Sequence, residues 1–425
     1  MTRGRVCIVT PGYISSTPRV VREANALSAA GLDVRVVFTQ GQLEQVRAFD
    51  AETLRNVPWQ WEAFGWSDTR QSERRAFHLT RFRHKGAGLL ARALPAGPIV
   101  SRAEGRTYPE LTKLATAKPA DLFIGHYPVG LAAAANAARK HGSRLGFDVE
   151  DLYADTHTPT TESLRARRRV LSIERRYVPG CSHISAVSAP VSKAFSDRYG
   201  CAAPVLMHNC CEWAERALLD GGRRDRSAAG GVSMYWFSQT IGLNRGLQDA
   251  IRALASVPES LHLHLRGAVT DDVARALIGL ARESGVESRV HLHGSEPPRS
   301  MLSRAAEHEI GLALEPGDTP NNRLTVSNKL FTYLMAGCAV VASDTEGQRS
   351  VMTTCADAGV LYQPGDVRAL ATHLNAWLAR PDLLARARAS ALEAARLRWN
   401  AEVESRALVN AVLRVLDQPS RGDTR

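Results

Sequence analysis

Residues 5–38 read RVCIVTPGYISSTPRVVREANALSAAGLDVRVVF, and this stretch decides the fold. Arg5–Thr10 is short, apolar and rich in β-branched residues, the pattern of a strand buried on both faces. Pro11, Gly12 and Pro18 mark a loop. Val20–Ala30 carries apolar residues at helical spacing and stops at Gly31, a natural helix terminator. Val34–Phe38 is the next strand. Strand, helix and strand in so short a run form a βαβ unit, which requires a parallel sheet covered by helices.

Outward from this unit the alternation continues. Leu122–Gly125, Arg144–Asp148, His183–Val187 and Ala202–His208 read as strands, and Val129–Arg139 reads as a helix. At residues 221–231 the chain turns polar and glycine-rich (GGRRDRSAAGG), the chemistry of a linker or surface loop. Strand and helix then alternate again from Val232–Phe237 to Ala339–Ala342. Val367–Ala379 and Pro381–Leu416 read as helical, the latter broken near Trp399. The expected organisation is a first Rossmann-like domain over 1–207, a linker over 208–230 and a second Rossmann-like domain over 231–395. A C-terminal helix and tail over 396–425 follow, with the helix packing back on the first domain. Two doubly wound domains in sequence are expected to face a central cleft at the carboxyl ends of their strands.

Composition narrows the partners. The 425-residue chain has a formal net charge of +11, which suits an anionic partner such as nucleotide phosphates or a lipid surface. Much of the excess lies between Arg70 and Arg106. There Arg74, Arg75, Arg81, Arg83 and Lys85 interleave with Phe77, Leu79 and Phe82, a pattern found both in helices that lie on anionic membranes and in solvated loops. No basic helix with groove-reading geometry and no stacking-aromatic pattern accompanies the charge, so nucleic acid is not an expected partner. The seven scattered cysteines lack CxxC spacing and read as small buried thiols rather than a disulfide framework or a zinc site. Apolar stretches such as Gly130–Ala138 fall short of the roughly 20 residues that cross a bilayer. The expected location is therefore cytoplasmic, or peripheral on the inner face of the cell membrane.

Two segments carry the chemistry of anion binding. Val326–Gln348 (VSNKLFTYLMAGCAVVASDTEGQ) opens with Ser327 or Asn328 as a helix cap. A helix start offers free N–H groups to a phosphate, and Lys329 in the first turn opposes the helix dipole unless an anion is near. Ser238–Gly246 (SQTIGLNRG) is a glycine-containing loop between strand and helix, and Arg245 suits bidentate phosphate binding. In the first half, His126 follows a strand and is either a satisfied loop histidine or a catalytic one. Asp148, Glu150 and Asp151 cluster after the next strand; acids there suit sugar hydroxyls, a general base or a helix cap. Ser16 and Arg19 lie in the first strand–helix loop beside Gly12, where an acceptor would be met.

At these residues the chain resembles the GT-B glycosyltransferases, specifically the retaining family 4 group. MYWFSQTIGLNRGLQDAIRAL, NKLFTYLMAGCAVVASD and GVLYQPGDVRALATHL resemble its donor-binding half. STPRVVREANALSAAGLDVRVV, DLFIGHYP and GFDVEDLY resemble its acceptor half. The resemblance implies transfer of a sugar from a nucleotide-diphosphate sugar to an acceptor hydroxyl with retention, in polysaccharide or glycoconjugate biosynthesis, without a metal or other cofactor. It implies catalytic roles for His126 and Asp148, and donor binding by Gly242, Arg245, Asn328, Lys329, Leu330 and Thr332. Acceptor binding would fall to Gly12, Ser16, Arg19 and Glu150, and the acceptor would be a glycan or lipid-linked. The chain departs from the family pattern at Thr332 and Leu324, where glutamates are usual, and at Gln239, where a basic residue is common. Two other readings of the same architecture are a sugar-nucleotide 2-epimerase and a catalytically degenerate nucleotide-sugar-binding protein; NKLFTY favours the transferase.

Overall fold

In the computed structural model, which describes residues 4–93, 97–226 and 231–418, the β-branched runs become strands of two sheets. Contacts divide the chain into two units, Met1–Met207 with Ser405–Arg425, and His208–Glu404.

The first sheet contains β1 (Arg5–Val9), β2 (Asp33–Gln40), β3 (Gln60–Gly65), β4 (Leu122–His126), β5 (Arg144–Val149), β6 (Cys181–Ala186) and β7 (Val205–Leu206). Their order is β3-β2-β1-β4-β5-β6-β7, and every pair is parallel. The second sheet contains β8 (Ser233–Thr240), β9 (His262–Ala268), β10 (Val290–His293), β11 (Ile310–Ala313), β12 (Ala339–Ser343) and β13 (Gly359–Tyr362). Its order is β10-β9-β8-β11-β12-β13, again wholly parallel. Each sheet reverses its winding once, at β1/β4 and at β8/β11. Loops leaving the carboxyl ends of those strands diverge there and leave a crevice for a ligand.

Burial follows the two-sided covering. Val6, Ile8, Val34, Val36 and Phe38 pack with Leu27, Leu122 and Ile124 under the helix Pro18–Ala29. In the second unit Leu263 and Leu265 of β9 enter a core with Ile251, Leu277 and Leu374. The alternate residues His262, His264 and Arg266 point to the opposite face, as the period of two requires.

Two expectations change in detail. The strand expected at Ala202–His208 shrinks to Val205–Leu206, because Pro204 offers no N–H and the segment sits at the sheet edge beside β6. The long C-terminal helix divides into Pro381–Leu397 and Ala401–Asp417. Trp399 fills the break, buried against Phe331, and Asn400 Oδ1 accepts from Val403 N at 2.9 Å to start the second helix. Val412, Leu413 and Leu416 of that helix pack onto the β1–β2 core. Among the described residues no helix is long and apolar enough to cross a membrane.

Candidate active site

In the first unit, β4 passes directly into the helix Tyr127–His141 with no intervening loop. The helix starts hard against the sheet: a Cβ on Gly130 would lie 2.5 Å from the carbonyl oxygen of Val9, and one on Gly125 would lie 2.4 Å from Leu131 N. The turn this demands puts Tyr127 at φ 62, the one non-glycine residue in the left-handed region among those described. Strain of this kind persists where surrounding structure enforces it, commonly at functional sites.

His126, at the end of β4, is buried. Its Nε2 lies 2.6 Å from Glu23 Oε2 and its Nδ1 lies 3.3 Å from Asp148 Oδ2. Asp148 is buried at the end of β5 and receives Arg19 in a fork, Nε to Oδ2 at 2.5 Å and Nη2 to Oδ1 at 2.6 Å. Arg19 Nη1 also donates to the carbonyl of Met207, and Ser185 Oγ donates to Asp148. Burial opposes charge on His126, but Asp148 and Glu23 outweigh it and raise the imidazole above its ordinary range. Burial likewise works against the Asp148 carboxylate, and Arg19 and His126 overcome it and hold its pKa low. Arg19 and Asp148 thus form an ion pair inside the unit, with the geometry a buried pair needs to persist, and His126 lies between Asp148 and Glu23.

The structure gathers three of the expected site residues in this cluster. Arg19, expected to meet an acceptor, is fully buried and committed to Asp148 and Met207. His126 and Asp148, expected as catalytic groups, are buried and tie β4, β5 and the helix Pro18–Ala29 together. Sequence reading missed Glu23 in this cluster. Its signal was present: Arg19 and Glu23 stand four apart on one helix face, so one buried polar residue implies the other.

The half-exposed groups at the same strand ends are Gly12, Ser16, Tyr127, Glu150, Asp151 and Tyr153. Glu150 Oε2 is buried and has no hydrogen-bond partner among the described residues. Burial first, then the charges of Asp151 and Asp148, push its carboxyl up to about 7, against the pull of Arg19 and His126. Tyr127 and Tyr153 pack beside it with ring centroids 5.3 Å apart. A carboxyl near 7 among half-exposed aromatics can accept or release a proton at neutral pH.

In the second unit, the loop after β8 carries Gly242 and Arg245 and ends at Gly246, which takes φ 70 to start the helix Leu247–Leu254. Arg245 is half-buried and forms no ion pair among the described residues. Asn328 and Lys329 open the helix Asn328–Ala336. Ser327 holds the cap position in extended conformation, but its side chain makes no cap bond; its Oγ lies 3.4 Å from Lys329 Nζ. The amide of Leu330 is engaged by Ser327 O at 3.0 Å, so the donors at this helix start are those of Asn328 and Lys329. Lys329 Nζ sits 5.1 Å over the Trp236 ring. Burial and the nearby positive charge of Arg245 lower its pKa, while Glu315 opposes them. The structure therefore brings Arg245, Lys329 and Glu315 into one electrostatic neighbourhood at the carboxyl ends of β8 and β11. Glu315, just past β11, was missed by sequence reading, and its position beyond a strand next to the winding reversal was the available signal.

Thr332, expected among the donor ligands, is buried and faces Asn328 and Cys211. Its Oγ1 lies 3.4 Å from Asn328 O and 3.8 Å from Cys211 Sγ. It stands one helical turn past Asn328, where the helix face turns from the strand ends to the interior.

Residues 235–380 match the family model of the glycosyl transferases group 1, a span that includes the Arg245 loop and the Lys329 helix. No curated protein matches the chain. Among solved structures, Anabaena Alr3699/HepE in complex with UDP and glucose superposes with a TM-score of 0.68 at 14% identity, covering 96% of this chain and 99% of that one. HepE has also been solved in complex with UDP-glucose. Sucrose-phosphate synthase from Thermosynechococcus elongatus gives a TM-score of 0.66 at 15% identity, covering 96% and 98%. WaaG, a glycosyltransferase involved in lipopolysaccharide biosynthesis, gives 0.59 at 14% identity, covering 98% and 100%. The fold is GT-B, with Rossmann-like sheets of seven and six strands.

Proposed function

We infer that this chain, a GT-B protein whose residues 235–380 form a glycosyl transferases group 1 domain, is a glycosyltransferase that takes its sugar from a nucleotide-diphosphate donor. The observation that carries the reading is the pairing of Arg245 and Lys329 at strand ends within the matched span. Two cations with one nearby carboxylate, beside a helix start, suit a diphosphate. The solved complexes of HepE with UDP and UDP-glucose support a nucleotide sugar as the ligand class.

In the proposed reaction the acceptor hydroxyl oxygen bonds to the anomeric carbon as the bond from that carbon to the diphosphate breaks. The hydroxyl proton passes to the departing phosphate, and the anomeric configuration is retained. Arg245 and Lys329 stabilise the charge that develops on the leaving group, the largest contribution such a site can make. No metal or other cofactor takes part in this proposal. The acceptor, a glycan or a lipid-linked saccharide, meets the first unit near Gly12, Ser16, Tyr127 and Glu150, and the product enters a surface polysaccharide or glycoconjugate.

A thermal-shift screen against UDP, GDP, ADP, dTDP and their sugars tests the donor site. A nucleotide present at 100 times its Kd stabilises by about 2.7 kcal/mol, which raises Tm by several degrees. The expected result is one nucleotide that does so with the wild type and fails with Arg245→Ala. No shift with any nucleotide would overturn the reading. Binding without sugar release or transfer would identify a nucleotide-sugar-binding protein.

A further inference from the structure

The helix Arg74–Ala93 shows two unlike faces. Phe77, Thr80 and Ala87 are buried against the first unit. Arg83 reinforces that face through Glu110 at 2.6 Å, His84 Nδ1 meets Arg102 O at 3.1 Å, and the Arg106 guanidinium lies 4.4 Å from the Phe77 ring centroid. The outward face is the unusual one. Leu79, Phe82, Leu89 and Leu90 are 60%, 81%, 63% and 54% exposed. Leu79, Phe82, Gly86, Leu89 and Ala93 follow one another at intervals of three and four, so they form one continuous stripe.

Beside that stripe stand Arg81, Lys85 and Arg92, all exposed and without an ion pair among the described residues. Arg81, Lys85 and Arg92 are again spaced by four and seven, which places them along one flank. The helix contains no acidic residue at all. Single exposed apolar residues are ordinary, but an aligned set flanked by unpaired cations is a recognition surface.

We propose that the outward face of the helix Arg74–Ala93 docks on an anionic lipid bilayer. Charge complementarity selects that occupant: cations at the level of anionic headgroups sit beside side chains that gain only by leaving water. A nucleic acid would meet the cations and leave Phe82 and Leu89 in water. At 1.5 Å per residue the helix is about 30 Å long, and it lies flat with its apolar stripe at the headgroup–acyl boundary. The docking holds the first unit at the membrane surface, where a lipid-linked acceptor would be presented. It does not depend on the donor chemistry, so vesicle binding and nucleotide binding stand or fall separately.

The test is flotation of the full chain with neutral phosphatidylcholine vesicles and with vesicles containing about one-third phosphatidylglycerol. Binding to the anionic vesicles is expected, falling steeply as salt is raised. The triple variant Arg81→Gln, Lys85→Gln, Arg92→Gln should bind at least tenfold more weakly. The pair Phe82→Ser, Leu89→Ser should lose binding as well. Both variants replace exposed side chains, so Tm should stay at the wild-type value. Amides of 74–93 should gain hydrogen-exchange protection only with anionic vesicles. Absence of binding to either vesicle would overturn the proposal, as would undiminished binding of both variants. Sedimentation showing a wild-type dimer that Phe82→Ser dissociates would also overturn it, by assigning the stripe to a second copy of the chain.

Discussion

The guanidinium of Arg19 and the carboxylate of Asp148 close on each other across 129 residues of sequence, both without solvent access. Each was legible in the sequence as a polar residue at a strand–helix junction; their partnership was not, because it depends on which strand lies beside which. Asp148→Asn leaves a buried guanidinium without its counter-charge and should cost about 3–5 kcal/mol, read by urea unfolding. The double change Arg19→Met, Asp148→Leu should recover much of that loss; a cost below 1 kcal/mol for the single variant would contradict the buried pair. Glu150 makes a different prediction. Its folded-state pKa, raised from 4.5 to about 7, means the folded chain holds the proton more tightly than the unfolded one. Stability contributed by that proton is complete below pH 4.5 and is lost as pH rises to about 7. Glu150→Gln should therefore be indistinguishable from wild type in acid and more stable above pH 7, by about 1–3 kcal/mol. The same variant should remove a limb near pH 7 from the transfer rate.

Among the elements, β9 and β10 carry the plainest consequence of strand periodicity. The alternation that sends Leu263 and Leu265 inward also lines up histidines on the other face. His262 Nδ1 lies 2.9 Å from His291 Nε2, and His264 Nδ1 lies 3.0 Å from His293 Nε2. The His264 ring also lies tilted against that of His308, with centroids 4.8 Å apart. Asp225, held by Arg266 at 2.5 Å, faces His293 at 3.6 Å and His308 at 4.0 Å. Burial, then the neighbouring histidines, push His264 from 6.5 down to about 2, and burial lowers His262, His291, His293 and His308 as well. A histidine kept neutral in the fold but free to charge when unfolded leaves stability intact above pH 6.5 and drains it as pH falls below. Each such histidine contributes a slope of up to about 1.4 kcal/mol per pH unit. The second unit should therefore melt in mild acid, and His264→Gln should flatten that dependence. Hydrogen exchange across His262–Ala268 between pH 7 and pH 5 checks this; identical slopes for variant and wild type would refute it. The pattern HLHLRG and the pattern VHLH were visible in the sequence, but their register was not.

For the whole molecule, the helix Ala401–Asp417 begins among second-unit residues and ends among first-unit ones. Val412 is fully buried beside residues such as Leu27 and Val34, nearly four hundred positions earlier. Val412→Asp should destabilise the first unit by about 3–4 kcal/mol, seen as an earlier melting transition for its amides while those of the second unit keep theirs. A uniform loss across both units, or none, would show that the helix does not close that core. From residues alone came the parallel-sheet class, the two rounds of βαβ alternation, the Arg245 loop, the Lys329 helix start and the break at Trp399. These follow from hydrophobic period, glycine and proline, which act within a few residues. Only the tertiary structure decided that Arg19, Glu23, His126 and Asp148 meet in one buried cluster, that Glu150 is left to titrate near neutrality, and that Thr332 turns inward. It also decided which flank of the helix Arg74–Ala93 stays in water. Those outcomes depend on which strand ends and helix faces meet across the sheets, and on how much solvent each charge retains there. Local spacing carries no record of either.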